Sequence, residues 1–263
     1  MKQFGLLGYP LSHSFSRGYF AEKFKRENLD ARYENFAIAS IEQLPQLITE
    51  NPQLEGLNVT IPYKQAVIPY LDILDPEAEA MGAVNTIRIE RSGNQKPRLV
   101  GYNSDLIGFR ESIRPYVENL RKRSQICFQE KTFEGFTLKA LILGTGGASK
   151  AVEYGLKQLG VEPLFVSRTP EPGRITYENL GSPYYEEYHI IVNTTPLGMF
   201  PNVQTFPPID YLSIGPKHLL FDAVYNPEKT LFLKKGETQG ATIKNGLEML
   251  HLQAEASWKI WND

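Results

Sequence analysis

The sequence predicts an α/β protein of two domains, and three observations carry that prediction. Short apolar runs alternate with helical spacing along most of the chain, the signature of strands joined by helical crossovers. The length of 263 residues, 41% hydrophobic and 22% charged, suits folded domains and leans to two of them. A glycine-rich turn stands at mid-chain between a strand pattern and a helix pattern, which marks the start of a second α/β series.

In the first half, Phe4–Gly8 reads as a strand, Tyr19–Arg26 as a helix, Tyr33–Ile38 as a strand, Ile41–Thr49 as a helix and Gly56–Ile61 as a third strand. The rhythm then changes. Asn85–Glu90 and Arg98–Tyr102 flank Ser92-Gly93-Asn94 and predict an antiparallel hairpin. Leu106–Ile113 has helical spacing, with Ser104 or Asp105 placed to cap it, and Pro115 is expected to disturb that helix. Glu118–Glu134 is charge-rich and poorly periodic, and reads as an inter-domain connection. The second series runs from Leu138 to about Gly240. Asn245–Trp261 closes the chain as a helix with Leu247, Leu250, Ala254, Trp258 and Trp261 on one face.

A net charge of -2 supplies no basic field for a phosphate backbone, so nucleic acid is not an expected partner. The first ten residues hold too short an apolar run for a secretory signal, and no run approaches the roughly 18 residues of a membrane span. The single cysteine, Cys127, cannot form an internal disulfide, which suits a reducing compartment, and a cytoplasmic protein is expected. His189, His218 and His251 lack metal-ligand spacing, so no metal is expected.

Leu138–Leu143 is apolar without alternation from Ala140, as a strand covered on both faces is. It runs into Gly144-Thr145-Gly146-Gly147-Ala148-Ser149, followed by a helix whose apolar face ends at Gly160. Gly144 permits a tight turn, and Gly146 lets the backbone approach a pyrophosphate that the helix N-terminus stabilises. Ser149 stands where the third glycine of the dinucleotide motif is usual. The next strand, Pro163–Val166, ends at Ser167-Arg168-Thr169, where an NAD site places an acid for the ribose 2′-hydroxyl. Here Arg168 offers a planar cation for a 2′-phosphate, with Ser167 and Thr169 as further donors, so NADP(H) is the expected cofactor. Beyond the strand His189–Val192, the loop Asn193–Met199, with Thr195 and Met199, suits a position beside the dinucleotide.

Chemistry is expected from the first half. In Gly56–Lys64, Asn58 and Thr60 point to one face while Leu57, Val59 and Ile61 point to the other, and Lys64 follows the strand's C-terminal end. A lysine there is most often a solvated charge; flanking Asn and Thr favour a pocket that reads hydroxyls. Asp105 can serve as a helix cap, but the stronger reading makes it the carboxylate that orients Lys64 for proton transfer to a forming alkoxide. Ser14 and Ser16, at a loop-to-helix junction, suit a carboxylate.

Taken in order, His13-Ser14-x-Ser16, Asn58-Val59-Thr60-x-Pro62-x-Lys64, Gly82-Ala83-Val84-Asn85-Thr86, Gly101-x-Asn103-x-Asp105, Gly144-x-Gly146-Gly147-Ala148-Ser149, Ser167-Arg168-Thr169, Asn193–Met199, Tyr225-Asn226-Pro227-x-x-Thr230 and Asn245-Gly246-Leu247-x-Met249-Leu250-x-x-Gln253 resemble the shikimate dehydrogenase family over nearly the whole chain. The resemblance implies NADPH-dependent reduction of 3-dehydroshikimate to shikimate. It implies Lys64 and Asp105 as the catalytic pair and Ser14 and Ser16 on the substrate carboxylate. Asn58, Thr60 and Asn85 would read ring hydroxyls, with Tyr225 and Gln253 closing the site, and Gly144, Gly146, Gly147, Ala148 and Arg168 would hold the dinucleotide. It further implies a mixed-sheet substrate domain, 1–106, completed by a C-terminal helix, 241–263, a Rossmann-like NADP domain, 107–240, and a cleft between them. The partner is then a small molecule, and the assembly a monomer or homodimer. Arg17, Phe20, Lys150 and Ser167 depart from the usual Pro, His, Arg and Asn. Two other readings stay open: an NAD-using quinate/shikimate dehydrogenase, and a non-catalytic NADP-binding sensor.

Overall fold

The computed structural model describes residues 1–11, 15–93, 95–127 and 137–263. His13, Ser14 and Asn94 lie outside them, as does the side chain of Cys127. The first strand, β1 (Lys2–Gly8), is buried from Gln3 onward, and this places it at the interior of a sheet. In order follow α1 (Phe15–Arg26), β2 (Ala31–Ala37), α2 (Leu44–Glu50), β3 (Leu54–Val59), α3 (Tyr63–Ala66), β4 (Ile73–Leu74), α4 (Pro76–Met81), β5 (Thr86–Glu90) and β6 (Arg98–Tyr102). They form a six-stranded sheet in the order β2-β1-β3-β5-β6-β4. β1 pairs parallel with β2 and β3, whereas β5 runs antiparallel to both β3 and β6. The expected hairpin is therefore present, and it makes the sheet mixed.

Then come α5 (Ser104–Cys127), β7 (Leu138–Leu143), α6 (Gly147–Gln158), β8 (Val161–Ser167), β9 (Arg174–Thr176), α7 (Ser182–Glu187), β10 (Ile190–Asn193), β11 (Leu219–Asp222), α8 (Leu231–Thr238), β12 (Thr242–Lys244) and α9 (Leu247–Asn262). The strands form a second sheet, β12-β11-β10-β7-β8-β9, parallel at every pairing. Read from β9, this is the order 3-2-1-4-5-6 of dinucleotide-binding sheets, with the switch point between β7 and β10. The chain divides into two units, residues 1–104 with 254–263, and residues 105–253.

In the first unit, the face of β1 that carries Phe4 and Leu6 packs against Phe20 and Phe24 of α1 and Trp261 of α9. Phe4 stacks on Trp261 at 4.8 Å between ring centres, and Phe20 stacks on Tyr33 at 4.7 Å. The Trp261 indole donates to the Ile87 carbonyl at 3.0 Å and lies against Gly56, where a Cβ would sit 2.3 Å from the ring. Gly56 is thus a close-approach glycine. Lys23, largely buried, bonds Glu255 at 2.8 Å and Glu27 at 3.0 Å, which fixes α1 to the end of α9. Leu57 and Val59 are buried on the opposite face as expected, but Ile61 is 75% exposed because β3 ends at Val59.

In the second unit β7 is covered on both faces, as its unbroken apolar run predicts. Ala140 and Ile142 pack under α5 and α6, and Leu141 and Leu143 pack on the side of α7 and α8. One expectation fails here. The helix does not stop near Pro115, nor is the next stretch from Glu118 a linker as far as Cys127, because α5 runs through both. Phe109, Ile113, Val117 and Leu120 form one buried stripe, while Pro115 faces out. An interior proline costs about 3 kcal/mol, and each fully buried aliphatic side chain returns roughly 1.5–3 kcal/mol. Val117 and Leu120 together offset the break. Residues 128–134 of the expected connection lie outside the described residues. Likewise residues 242–244, expected within a closing helical segment, form β12 on β11.

His218, fully buried before β11, accepts from the Gly215 N–H at Nδ1 (2.9 Å) and meets the Tyr185 carbonyl at Nε2 (2.7 Å). This is the neutral tautomer, and burial holds its pKa below the ordinary value, as it does for His189, whose ring lies 6.4 Å away. A depressed histidine stabilises the fold above about pH 6.5, and that stability drains away as pH falls below the unfolded-state pKa. Urea unfolding midpoints should fall between pH 7.5 and 5.5 more steeply in the wild type than in His218→Asn. Equal slopes would remove His218 from the account.

Candidate active site

The polar residues of the first unit form one buried network. Asn58 on β3 accepts from the Tyr33 hydroxyl at 2.9 Å, and its amide donates to Ser257 of α9 at 2.8 Å and to Thr86 at 3.3 Å. Asn85, just before β5, accepts the Ser104 N–H at 2.6 Å, and its amide donates to the Ser104 hydroxyl at 3.0 Å. Thr86, Ser104 and Ser257 are completely buried and mutually bonded at 2.9–3.0 Å. Asn85 thereby holds the first residue of α5, and Asp105 is the next residue along. The Val84 N–H donates to the Lys64 carbonyl at 2.8 Å, so the turn that carries Lys64 is tied to the strand start that carries Asn85. Thr60 follows β3, its N–H bonded to Leu7.

Ser16 is the second residue of α1, and its hydroxyl bonds the Tyr33 phenol, a group that burial pushes well above its ordinary pKa. Ser14 lies outside the described residues. Asn58 and Asn85, read from the sequence as hydroxyl readers, are nearly fully buried with their amides bonded to protein. Tyr33 and Ser257 are not among the expected site residues, and Thr86 stands in the Asn85-Thr86 motif without an assigned role. Ser257 was legible as the lone hydroxyl beside the apolar stripe of α9.

In the second unit the glycine turn follows β7, and the Gly144 N–H bonds the Val166 carbonyl at 2.9 Å. Gly144 has φ +101°, and a Cβ there would meet Thr195 at 2.7 Å, so the fold itself requires glycine. Gly146 and Gly147 differ. A Cβ at either would meet no protein atom within 4 Å, and both are exposed at the N-terminus of the twelve-residue helix α6. Ser149 donates to the Gly146 carbonyl at 2.6 Å, which explains how serine fills the third glycine position. Ala148 lies in the first turn of α6.

At the end of β8, Arg168 and Thr169 are exposed, and the nearest acid along the chain, Glu171, pairs with Arg174. Ser167 was expected to donate to a phosphate, but its hydroxyl bonds the Thr169 carbonyl, so it shapes the turn. An open turn at a helix N-terminus with a cation beside it fits a phosphorylated dinucleotide. Thr195 lies over Gly144, and Met199 is half-exposed.

Behind this loop sits a carboxylate that the sequence reading passed over. Asp222, fully buried at the end of β11, accepts from Asn193 and from the Val224 N–H, each at 3.0 Å, and from the Thr230 hydroxyl. Burial pushes it up to about 6 against the opposing hydrogen bonds from Thr230, Val224 and Asn193. Tyr225 is partly exposed, and Gln253 is buried against Gly108 of α5.

The parallel sheet and open glycine turn define a dinucleotide-binding α/β protein. The substrate-binding domain of shikimate dehydrogenase matches residues 6–87. The chain is 36% identical over 273 residues to the shikimate dehydrogenase (NADP(+)) of Carboxydothermus hydrogenoformans, covering 98% of this chain and 90% of that one. The shikimate 5-dehydrogenase of Thermus thermophilus, solved in complex with NADP(H) and shikimate, superposes with a TM-score of 0.78 at 29% identity, covering 99% and 93% of the two chains. The enzyme of Listeria monocytogenes, solved with shikimate and NAD, gives 0.80 at 26%, covering 100% and 92%. This chain belongs to the shikimate dehydrogenase family.

Ser257→Ala removes the shortest acceptor of the buried Asn58 amide and should cost about 1–3 kcal/mol of stability by urea unfolding. A loss below about 0.5 kcal/mol would mean that Thr86 and the Asn85 carbonyl satisfy that amide without Ser257.

Proposed function

We propose that the protein is an NADP-dependent shikimate dehydrogenase, an oxidoreductase that reversibly reduces 3-dehydroshikimate to shikimate on the way to chorismate and the aromatic amino acids. The observation that carries the reading is full-length likeness to NADP(+) shikimate dehydrogenases in a chain that keeps Lys64 and Asp105. The bound nicotinamide supplies the hydride. Lys64 gives a proton to the substrate oxygen as its negative charge develops, and takes it back in the reverse direction. Asp105 is the carboxylate of the catalytic pair, and it follows Ser104, whose N–H donates to Asn85 Oδ1. Ser14 and Ser16 bind the substrate carboxylate, and Thr60, Asn58, Asn85, Tyr225 and Gln253 complete the substrate site. Residues 1–106 with the C-terminal helix bind substrate, and 107–240 bind the dinucleotide.

Arg168 favours the 2′-phosphate of NADP, aided by the absence of an acid at the end of β8. No helix among the described residues is long and apolar enough to cross a membrane, and we place the enzyme in the cytoplasm as a monomer or homodimer.

With shikimate present, absorbance at 340 nm should rise faster with NADP than with NAD. Preference for NAD would favour the quinate/shikimate alternative, and NADP binding without turnover would favour a sensor. Lys64→Ala should lower kcat by about 10²–10⁴-fold with little change in KM; an unchanged kcat would end the assigned role. Gly146→Ala should keep its melting temperature yet weaken NADP binding, because its Cβ meets no protein atom. Unaltered NADP affinity would separate that glycine from the cofactor.

A further inference from the structure

Asp222 is a buried carboxylate for which the proposed reaction has no use, and its partners are unusually specific. Its Oδ1 takes the Asn193 amide N–H and the Val224 N–H, and its Oδ2 takes the Thr230 hydroxyl. With its amide nitrogen committed, Asn193 turns its Oδ1 to the Thr195 N–H at 3.0 Å and to the Thr195 hydroxyl at 2.6 Å. The Thr195 hydroxyl then accepts from the Leu197 N–H at 3.3 Å, and the Thr195 methyl covers Gly144. On the other side Thr230 caps α8 and packs beside Gly198. The loops after β10 and β11 are thus clamped through one anion, next to the switch point where the glycine turn lies.

We propose that Asp222 is a positioning residue for the dinucleotide: by fixing which way the Asn193 amide points, it sets the Thr195 loop over the glycine turn. This rests on the proposed NADP-binding role of the second unit. A carboxylate accepts at both oxygens and cannot present a donor to Asn193. An asparagine in its place can turn its own amide toward Asn193 and release the loop, and a protonated carboxyl loses the charge that strengthens each bond. Asp222 acts electrostatically on the Tyr211 phenol, which burial keeps protonated and which donates to the Pro207 carbonyl, and Lys235 lies over the Tyr211 and Phe206 rings. Among the described residues no charged side chain bonds Asp222.

The test is the Kd of NADP+ by calorimetry from about pH 5.2 to 7.8 for the wild type and Asp222→Asn. At pH 7.5 the variant should bind about five-fold more weakly, with the KM for shikimate within two-fold of wild type. The ratio of the two Kd values should close toward one as pH falls through about 6. The cofactor's own 2′-phosphate titrates in the same range but is common to both proteins, so the ratio isolates the carboxylate. A ratio of one at pH 7.5, or a raised ratio that does not change with pH, overturns the proposal. If Asp222→Asn does not fold, Thr230→Val keeps the carboxylate but removes a donor. It should move the pH dependence of NADP+ binding upward, and Thr230→Ser should restore it; an unmoved profile is equally fatal. The Kd comparison needs no turnover, so a wild type that binds NADP+ but does not oxidise shikimate defeats the proposed reaction, removes only the KM reading and leaves the Kd ratio and its pH dependence as the test.

Discussion

Asn58 sits among Leu57 and Val59 with almost no water to bond, yet its side chain has two donors and an acceptor to satisfy. An orphaned buried amide costs about 1–3 kcal/mol for each group left unmade. The first unit meets this requirement by bringing β2, β3, β5, the start of α5 and the end of α9 to one place: Tyr33, Asn58, Thr86, Ser104 and Ser257 each supply what another lacks. Because the bonds are directional, the elements cannot slide past one another without breaking several at once. The candidate residues Thr60, Lys64 and Asn85 all leave from the edges of this network. Their placement is therefore a consequence of polar satisfaction as much as of apolar packing.

The second unit solves the same problem around a charge. Its parallel sheet is apolar through β7 and β10, and the polar groups collect where the strands end, at Asn193 and Asp222. An unbonded buried carboxylate would be far costlier than an amide, so Asp222 recruits Asn193, Val224 and Thr230. Two loops that share no sequence motif are joined as a result. The turn that faces them carries glycine for two different reasons, the fold at Gly144 and open space at Gly146 and Gly147.

Much of this was legible in the sequence because it depends on local pattern. The unbroken apolar run of Ala140–Leu143 marks a central parallel strand, and the hairpin at Asn85–Tyr102 follows from its turn residues. The stripe of α5 was legible too, since Ile113, Val117 and Leu120 keep helical spacing, but Pro115 and the surrounding charges weighed against it. What was not legible depends on pairing between distant residues. Nothing near Ser257 signals that it will meet Asn58, 199 positions away, and an aspartate closing Leu219–Phe221 looks like an ordinary strand end. The bond of the Ser167 hydroxyl to the Thr169 carbonyl within its own turn is likewise not signalled by the sequence, where a hydroxyl beside an arginine suggests a shared anion.

Phe20 shows how a departure from the family pattern is absorbed. A histidine at this position would bring a polar ring to a site with no exposure, between Tyr33 and Trp261. Phenylalanine instead stacks on the Tyr33 ring, and the Tyr33 hydroxyl is left to Asn58 and Ser16. The aromatic contact therefore does two things: it completes the packing of Phe4, Phe24 and Trp261 around the end of α9, and it covers the Tyr33 ring with an apolar one. The phenol bonds along its edge, with Asn58 and Ser16. In this chain position 20 therefore orients the Tyr33 ring by apolar contact, and with it the bonds that the phenol makes to Asn58 and Ser16.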